Sequence, residues 1–394
     1  VDVTTSREHH IGAEQLDDVA AVLSFALEEI DEALAVMVAD QAEDRPRDGA
    51  LLTARLGLDG ERPSTLTLLG AQYELSRDRV RQIYTRAAGQ VYRRVRATAH
   101  PDTAVFAARY PVGWSDERLV RLLLAEIYAT DCDLAAQDLA YLKLRLAGHP
   151  LQDAKRLAGF VFQRIAGWQQ RGRNHPAGPE SGAGALLPLL RRAEWARHGT
   201  PEPLPDNPIH TVDTADEARG SMAATKPGRT VTFDTALEAR LLRLLDESEQ
   251  VRTFTERPIA VEYTVDDEPR LHHPTVAAHL TDGRTVLVDV VPLGRLACYP
   301  NLVRLAATGA RARELGWGRL VFTGSAIGEP DLRELPVPAS SEHPLRNRLA
   351  RGPLLWPEFR ALTAETGLEP TQFNALVLRH GWRWERGPFR LARG

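Results

Sequence analysis

The sequence predicts a multidomain protein of class α plus α/β. It should comprise a helical domain with a helix-turn-helix, a central helical segment, an α/β domain and a terminal helix pair with a hairpin. Three observations carry that expectation. At 394 residues the chain exceeds one ordinary hydrophobic core. Apolar residues recur at helical spacing until about residue 168, where a Gly- and Pro-rich stretch begins. Beyond residue 230, strand-like runs alternate with helical ones. The expected segments are 1–100, 101–171, a linker with a short helix at 172–229, an α/β domain at 230–340 and a terminal module at 341–394.

Leu16 to Ala39 carries apolar residues at helical spacing, among them Val19, Val22, Leu23, Leu27, Ile30, Leu34 and Val38, and predicts one or two helices packed on the helix-turn-helix. In residues 55–96, Leu66, Leu69 and Gly70 suit a short helix, and Tyr73 to Leu75 suit a turn. Ser76 suits the N-cap of a second helix. Val80, Ile83 and Ala87 form its inward stripe, which leaves Arg77, Asp78, Arg81 and Gln82 on the outward side, where an inserted helix presents side chains to base edges. From Glu61 to His100, eight arginines face three acids (Glu61, Glu74, Asp78), a local balance of +5. Such a patch, including Arg79, Arg86, Arg93 and Arg94, supplies the phosphate term of DNA affinity. The whole chain is at −4, so indiscriminate coating of nucleic acid is not expected.

Residues about 50–97 resemble region 4 of bacterial sigma-70 factors, in the RLGL-DG run before the motif and the SRDRVRQI run within it. The resemblance implies a domain that reads a promoter −35 element, with Arg77, Asp78, Arg81 and Gln82 at the base-contacting positions. Arg pairs bidentately with guanine and Gln with adenine, and an acid accepts from cytosine or orients a neighbouring Arg. It equally implies RNA polymerase as an alternative partner. The aromatic-rich region that melts a −10 element has no counterpart before residue 50, so a complete sigma factor is not expected.

Residues 116–168 read as helices with stripes at Leu119, Leu122, Leu123, Ile127 and at Leu139, Leu142, Leu146; His149 and Trp168 read as boundary packing. Fifteen of the 58 residues from Gly172 to Arg229 are Gly or Pro, which predicts linkers around a helix at Ala185 to His198, with 205–228 poorly ordered. Such linkers predict two separately folding halves.

Next comes an amphipathic helix at Thr235 to Asp246, then runs at Ile259 to Val265, Thr275 to Leu280 and Thr285 to Val291 with an Asp282-Gly283 turn. A helix at Leu302 to Leu315 and a strand at Arg319 to Thr323 complete the α/β pattern. Residues about 230–325 resemble the restriction-endonuclease-like fold, specifically the amino-terminal nuclease domain of the transposition protein TnsA and its relatives. That family places a carboxylate on the first helix, an Asp after a Pro on the second core strand, and an acidic-x-Lys on the third, because converging carboxylates hold Mg²⁺ and the Lys aligns the attacking water. Here Glu238 and Asp289 match, whereas Thr275 follows Pro274 in place of the Asp and Val291 replaces the Lys. The resemblance therefore implies a catalytically inactive nuclease fold, in which Glu238 and Asp289 are vestigial and neither metal nor cofactor is expected.

The last segment reads as a helix at Trp356 to Thr366, a Gly367-to-Pro370 turn and a helix at Thr371 to His380 capped by Thr371. A hairpin about Arg386-Gly387-Pro388 comes after it. It resembles a small winged helix, with Arg379, Arg383, Arg386 and Arg390 favouring DNA and Trp382 and Trp384 in its core.

Two cysteines, Cys132 and Cys298, are too few and too far apart for a disulfide framework, and no apolar run spans a bilayer. Basic residues are almost all Arg, with Lys only at 143, 155 and 226. The opening residues, with Glu8, His9, His10 and Glu14, do not read as a signal peptide. The expectation is a cytoplasmic, nucleoid-located, sequence-specific binder of double-stranded DNA, a transcriptional regulator or nucleoid-associated factor. The alternatives are a metal-dependent endonuclease of mobile-element or defence type, and an RNA polymerase-interacting protein without DNA readout.

Overall fold

A computed structural model describes residues 25–174, 186–196, 201–210 and 220–394, with side chains omitted for 168–174. The first half is helical: α1 (Phe25–Asp44), α2 (Pro46–Leu56), α3 (Leu66–Tyr73), α4 (Arg77–Thr98), α5 (Thr103–Arg109), α6 (Asp116–Thr130), α7 (Ala136–Leu146) and α8 (Leu151–Asn174). Their apolar stripes meet in one core, where Ile30, Leu34 and Val38 of α1 pack with Val91 and Val95 of α4, Leu123 and Ile127 of α6, and Leu157 and Val161 of α8. The expected stripe residues Val19, Val22 and Leu23, and the Trp168 side chain, lie outside the described residues. His149 is buried within this half, its Nε2 2.9 Å from the Tyr110 carbonyl.

In the second half, a short α9 (Leu186–Leu190) precedes the hairpin β1 (Gly220–Ala224) and β2 (Arg229–Phe233). Then come α10 (Ala236–Glu247), β3 (Val251–Glu256), β4 (Val261–Val265), β5 (Glu268–His272), β6 (Val276–Leu280), β7 (Thr285–Val290), α11 (Tyr299–Glu314) and β8 (Gly318–Phe322). The central sheet has the order β3-β6-β7-β8. Its first three strands are antiparallel, and β8 lies parallel to β7 because α11 provides the crossover. β4 and β5 pair only with each other, so the first core strand is β3 and not the expected 259–265 run. The cause is local: Arg257, at a left-handed φ of 45°, precedes Pro258 and ends β3.

The stretch expected to be linker is partly built into this body. Its end forms β1, paired in full register with β2. Trp317 Nε1 donates to the Glu202 carbonyl, and Thr255 Oγ1 to the Pro205 carbonyl. Among the described residues of the expected 185–198 helix, Leu186–Leu190 are helical, and Glu194 pairs instead with Arg319 at the open edge of β8. Residues 175–185, 197–200 and 211–219 of that stretch lie outside the described residues.

The chain ends in α12 (Glu329–Glu334), α13 (Ala339–Leu349), β9 (Leu354–Leu355), α14 (Trp356–Thr366), α15 (Pro370–His380), β10 (Arg383–Glu385) and β11 (Arg390–Ala392). Pro370 takes the first helical position of α15, so Glu369 is the N-cap and not Thr371. Trp382, Trp384, Phe389 and Leu391 are buried, as the alternation of the hairpin requires.

The two halves are packed against each other rather than joined by linkers alone. Phe25 of α1 lies edge-on to Phe359 of α14, their ring centroids 5.4 Å apart. The loop 57–63, between α2 and α3, reaches the second half at several points. Gly60 has φ 87°, and a Cβ there would lie 3.3 Å from Cys298 Sγ. Its carbonyl accepts from Asn301, the Glu61 carbonyl accepts from Arg295, and the Glu61 carboxylate accepts from Arg270. Among the described residues, no helix is long and apolar enough to cross a membrane.

Candidate nucleic-acid interface and the interdomain carboxylate cluster

Thr65 caps α3 by accepting from the Leu68 N–H, and Ser76 caps α4 by accepting from the Arg79 N–H at 3.2 Å. Glu74, in the left-handed region, ends α3, so only Glu74 to Ser76 separate the helices. Leu66 and Leu69 of α3, Val80 and Ile83 of α4 and Leu51 of α2 form a small separate core that fixes the crossing. Gly70 is required here: a Cβ would lie 2.6 Å from the Leu75 carbonyl oxygen. Gly70→Ala is therefore expected to cost about 1–3 kcal/mol, the usual range for forced overpacking. Urea unfolding measures this, and an unchanged midpoint would show that the turn yields freely.

With that stripe inward, Arg77, Asp78, Arg79, Arg81, Gln82 and Thr85 are exposed on the first turns of α4. Arg79 Nη1 donates to Gln82 Oε1 at 3.2 Å, which orients that amide. Further along, Arg86 pairs with Asp48 at 3.2 Å and Arg94 with Asp44 at 2.6 Å, so each already has a carboxylate at hand. Arg93 lines an open depression of about 640 Å³ with Arg45 and Gln90. It lies roughly 24 Å along the helix from Arg77, at 1.5 Å per residue.

Three arginines of the C-terminal module, Arg379, Arg383 and Arg386, are engaged by acceptors of the protein. Arg386 is 5% exposed and ion-paired to Glu28 at 2.9 Å and Asp31 at 2.8 Å of α1. Although burial alone would lower its pKa, these carboxylates raise it further above the ordinary value. Arg379 donates to the Arg333 and Leu335 carbonyls. Arg383 donates to Asp266 at 2.7–2.8 Å and stacks over Tyr299. Phe373 to Leu378 of α15 are all buried, so the middle of this helix belongs to the core. Of the three arginines expected to contact DNA, Arg386 is buried within the fold, whereas Arg379 and Arg383 are partly exposed and each engaged by acceptors of the protein.

The two carboxylates singled out in the α/β domain are also engaged. Thr235 caps α10, which places Glu238 in its first turn and 2% exposed. Glu238 Oε1 receives Arg62 Nη1 from the loop 57–63, and Oε2 accepts from the Asp234 N–H and from Arg257 Nη2 at 3.2 Å. Arg62 also donates to Asp131 Oδ2 at 2.7 Å, and Asp133 Oδ2 accepts from the Ala236 N–H at 2.9 Å. The junction is thus built from both halves. Burial raises the Asp133 carboxyl to about 7, with the Asp131 charge adding to the shift. Burial likewise raises Asp131, in spite of Arg62.

Asp289 Oδ1 lies 2.6 Å from His272 Nε2. Burial outweighs the carboxylate and lowers the His272 pKa. For Asp289, burial opposes ionisation, but His272, Arg304 and Arg319 outweigh it and hold the group below the usual carboxylate range. Nε2 is thus the ring nitrogen that His272 turns towards the Asp289 carboxylate. Thr275 Oγ1 accepts from the Val290 N–H, and Val291 is buried in the C-terminal apolar core. Asp282 bonds Arg284 within its hairpin, as turn chemistry predicts. Among the described residues, no group of three or more His, Cys, Asp or Glu side chains is arranged to hold a metal ion.

Sequence reasoning missed Arg62, Arg257, Asp131 and Asp133. The one available signal was Asp131-Cys132-Asp133 at a helix end, which names no partner. Comparisons with protein-family models, with curated proteins and with solved structures find no match to the chain.

Proposed function

We propose that the chain is a sequence-reading binder of double-stranded DNA, acting as a transcriptional regulator or nucleoid-associated factor, in which the α/β half is a non-cutting scaffold. The observation that carries this reading is the exposed first face of α4. Arg77, Asp78, Arg81 and Gln82 are exposed to solvent there, while Val80 and Ile83 fix the helix in a crossing stabilised at Gly70. The scaffold reading is supported at Glu238, whose carboxylate is clasped by Arg62 and Arg257, and at Val291, whose position is apolar core.

Selection from random duplex DNA followed by quantitative mobility shift tests the proposal. Arg81→Ala is expected to lower affinity for the selected site by about 1–3 kcal/mol, the value of one bidentate base contact, while leaving non-specific affinity nearly unchanged. Equal binding of wild type and variant to every duplex would remove α4 as the reading element. Leu68, 59% exposed on α3, supports a second reading, in which this head contacts RNA polymerase without reading DNA. Polymerase retention abolished by Leu68→Ser, with no duplex enriched, would favour it.

A further inference from the structure

We infer that the two halves of the chain share one bound water molecule, held in a polar cavity where α1 and α6 meet α15 and β10. The cavity measures about 20 Å³, and the polar residues lining it are Glu28, Thr130, Arg295, Asn374, Trp384 and Arg386. A water molecule needs about 10–15 Å³ and two to four polar partners, so the space admits one and excludes a larger ligand.

Three buried atoms of these lining residues have no hydrogen-bond partner among the described residues: Trp384 Nε1, Arg295 Nε and Asn374 Oδ1. A buried donor or acceptor left in that state is costly, and three around one small cavity call for a common partner. Their roles are fixed by their chemistry. The indole N–H and the guanidinium Nε–H can only donate. Asn374 Nδ2 donates to the Pro370 carbonyl at 3.0 Å. Because that carbonyl can only accept, the amide has one orientation, and Oδ1 remains as an acceptor.

That mixture decides the ligand. Two donors and an acceptor suit neither a metal ion, which takes acceptors, nor a small anion, which takes donors, whereas water does both. The molecule accepts from Trp384 Nε1–H and Arg295 Nε–H and donates to Asn374 Oδ1. Its second hydrogen has a partner in the Glu28 carboxylate, of which Arg386 engages Oε2 at 2.9 Å. Arg295, Asn374 and Trp384 belong to the second half and Glu28 to α1, so the water carries a hydrogen bond across the junction. Phe25 and Phe373, their ring centroids 6.2 Å apart, also line the cavity and set this polar link within the aromatic contact between the halves.

A crystal structure of the full chain, at a resolution that places ordered water, tests this. One density peak is expected within hydrogen-bond distance, about 2.7–3.2 Å, of both Trp384 Nε1 and Asn374 Oδ1. Trp384→Phe, which removes the donor and keeps an aromatic ring, should lose or displace that peak. In solution, the indole N–H resonance that is present in the wild type and missing from Trp384→Phe should show cross-relaxation with water, of the sign given by a rigidly held molecule. An empty cavity, direct bonds from Trp384 Nε1 and Asn374 Oδ1 to protein groups, or a peak with the coordination of a metal ion would overturn the inference. So would a peak unmoved in Trp384→Phe, or an indole proton without the water signal. The wild-type density decides even where Trp384→Phe proves too unstable to crystallise.

Discussion

Replacing Arg62 by alanine is expected to lower the unfolding free energy by about 3 kcal/mol, the lower end of the range for removing one partner of a buried ion pair. The size reflects the charges left behind. Arg62 is 25% exposed, but the carboxylates it joins, Asp131 and Glu238, are only 2–4% exposed. Arg257 still faces Glu238, whereas Asp131 would keep only a neutral hydroxyl, that of Thr235. Arg62→Lys should recover part of the loss, because one ammonium cannot hold both carboxylates in the forked geometry. Urea unfolding provides the number, and a cycle with Glu238→Gln isolates the coupling. A loss below about 1 kcal/mol, the range of exposed ion pairs, would mean that this junction does not couple the halves.

Which parts of this molecule could be read in advance depends on the range of each interaction. The α3–α4 pair was legible because its determinants are local: Ser76 caps within three residues, and Val80 and Ile83 share one face of one helix. The helix at α10, the strands β6 and β7 with their Asp282-Gly283 turn, and α11 and β8 were legible for the same reason, as were Trp382 and Trp384 as core groups, whereas β3 and β5 were not read. What escaped was long-range pairing. Arg386 reads as a surface cation in a basic hairpin, yet Glu28 and Asp31 lie more than 350 residues earlier in the chain. Arg62 and Glu238 pair across 176 residues. The 259–265 run was assigned to the core sheet because alternation is the same whether a strand joins a central sheet or, as β4 does, a separate hairpin. The Pro content of 201–210 suggested freedom, but backbone carbonyls at Glu202 and Pro205 accept from the sheet body.

The same junction should make stability depend on pH, and Asp133→Asn isolates the effect. Four carboxyl groups, Asp131, Asp133, Asp234 and Glu238, meet two guanidiniums, Arg62 and Arg257, so charge balance favours a proton on one acid. Asp133 is the natural holder. It faces Asp131 on its own turn, Arg62 from the loop and the Ala236 N–H of α10, and its carboxyl is raised from 3.8 to about 7. A folded-state pKa above the unfolded one means that the folded chain binds the extra proton. The associated stability is fully present below about pH 4, is lost as pH rises from 4 to 7, and is absent above that. Asparagine stays neutral throughout, its amide oxygen can still accept from Ala236, and its N–H₂ can donate towards Asp131. Above pH 7 the variant should therefore be the more stable protein, by on the order of 2 kcal/mol, because it avoids an ionised acid buried beside Asp131. Asp289 and Asp31, held below the ordinary range, act in the opposite sense and lose stability as pH falls. For that reason the informative quantity is the difference between wild type and variant at each pH. It should grow from near zero at pH 4 to a plateau above pH 7. Parallel stability curves, or a variant weaker at every pH, would show that Asp133 works as an ionised helix cap and that the junction stores no proton.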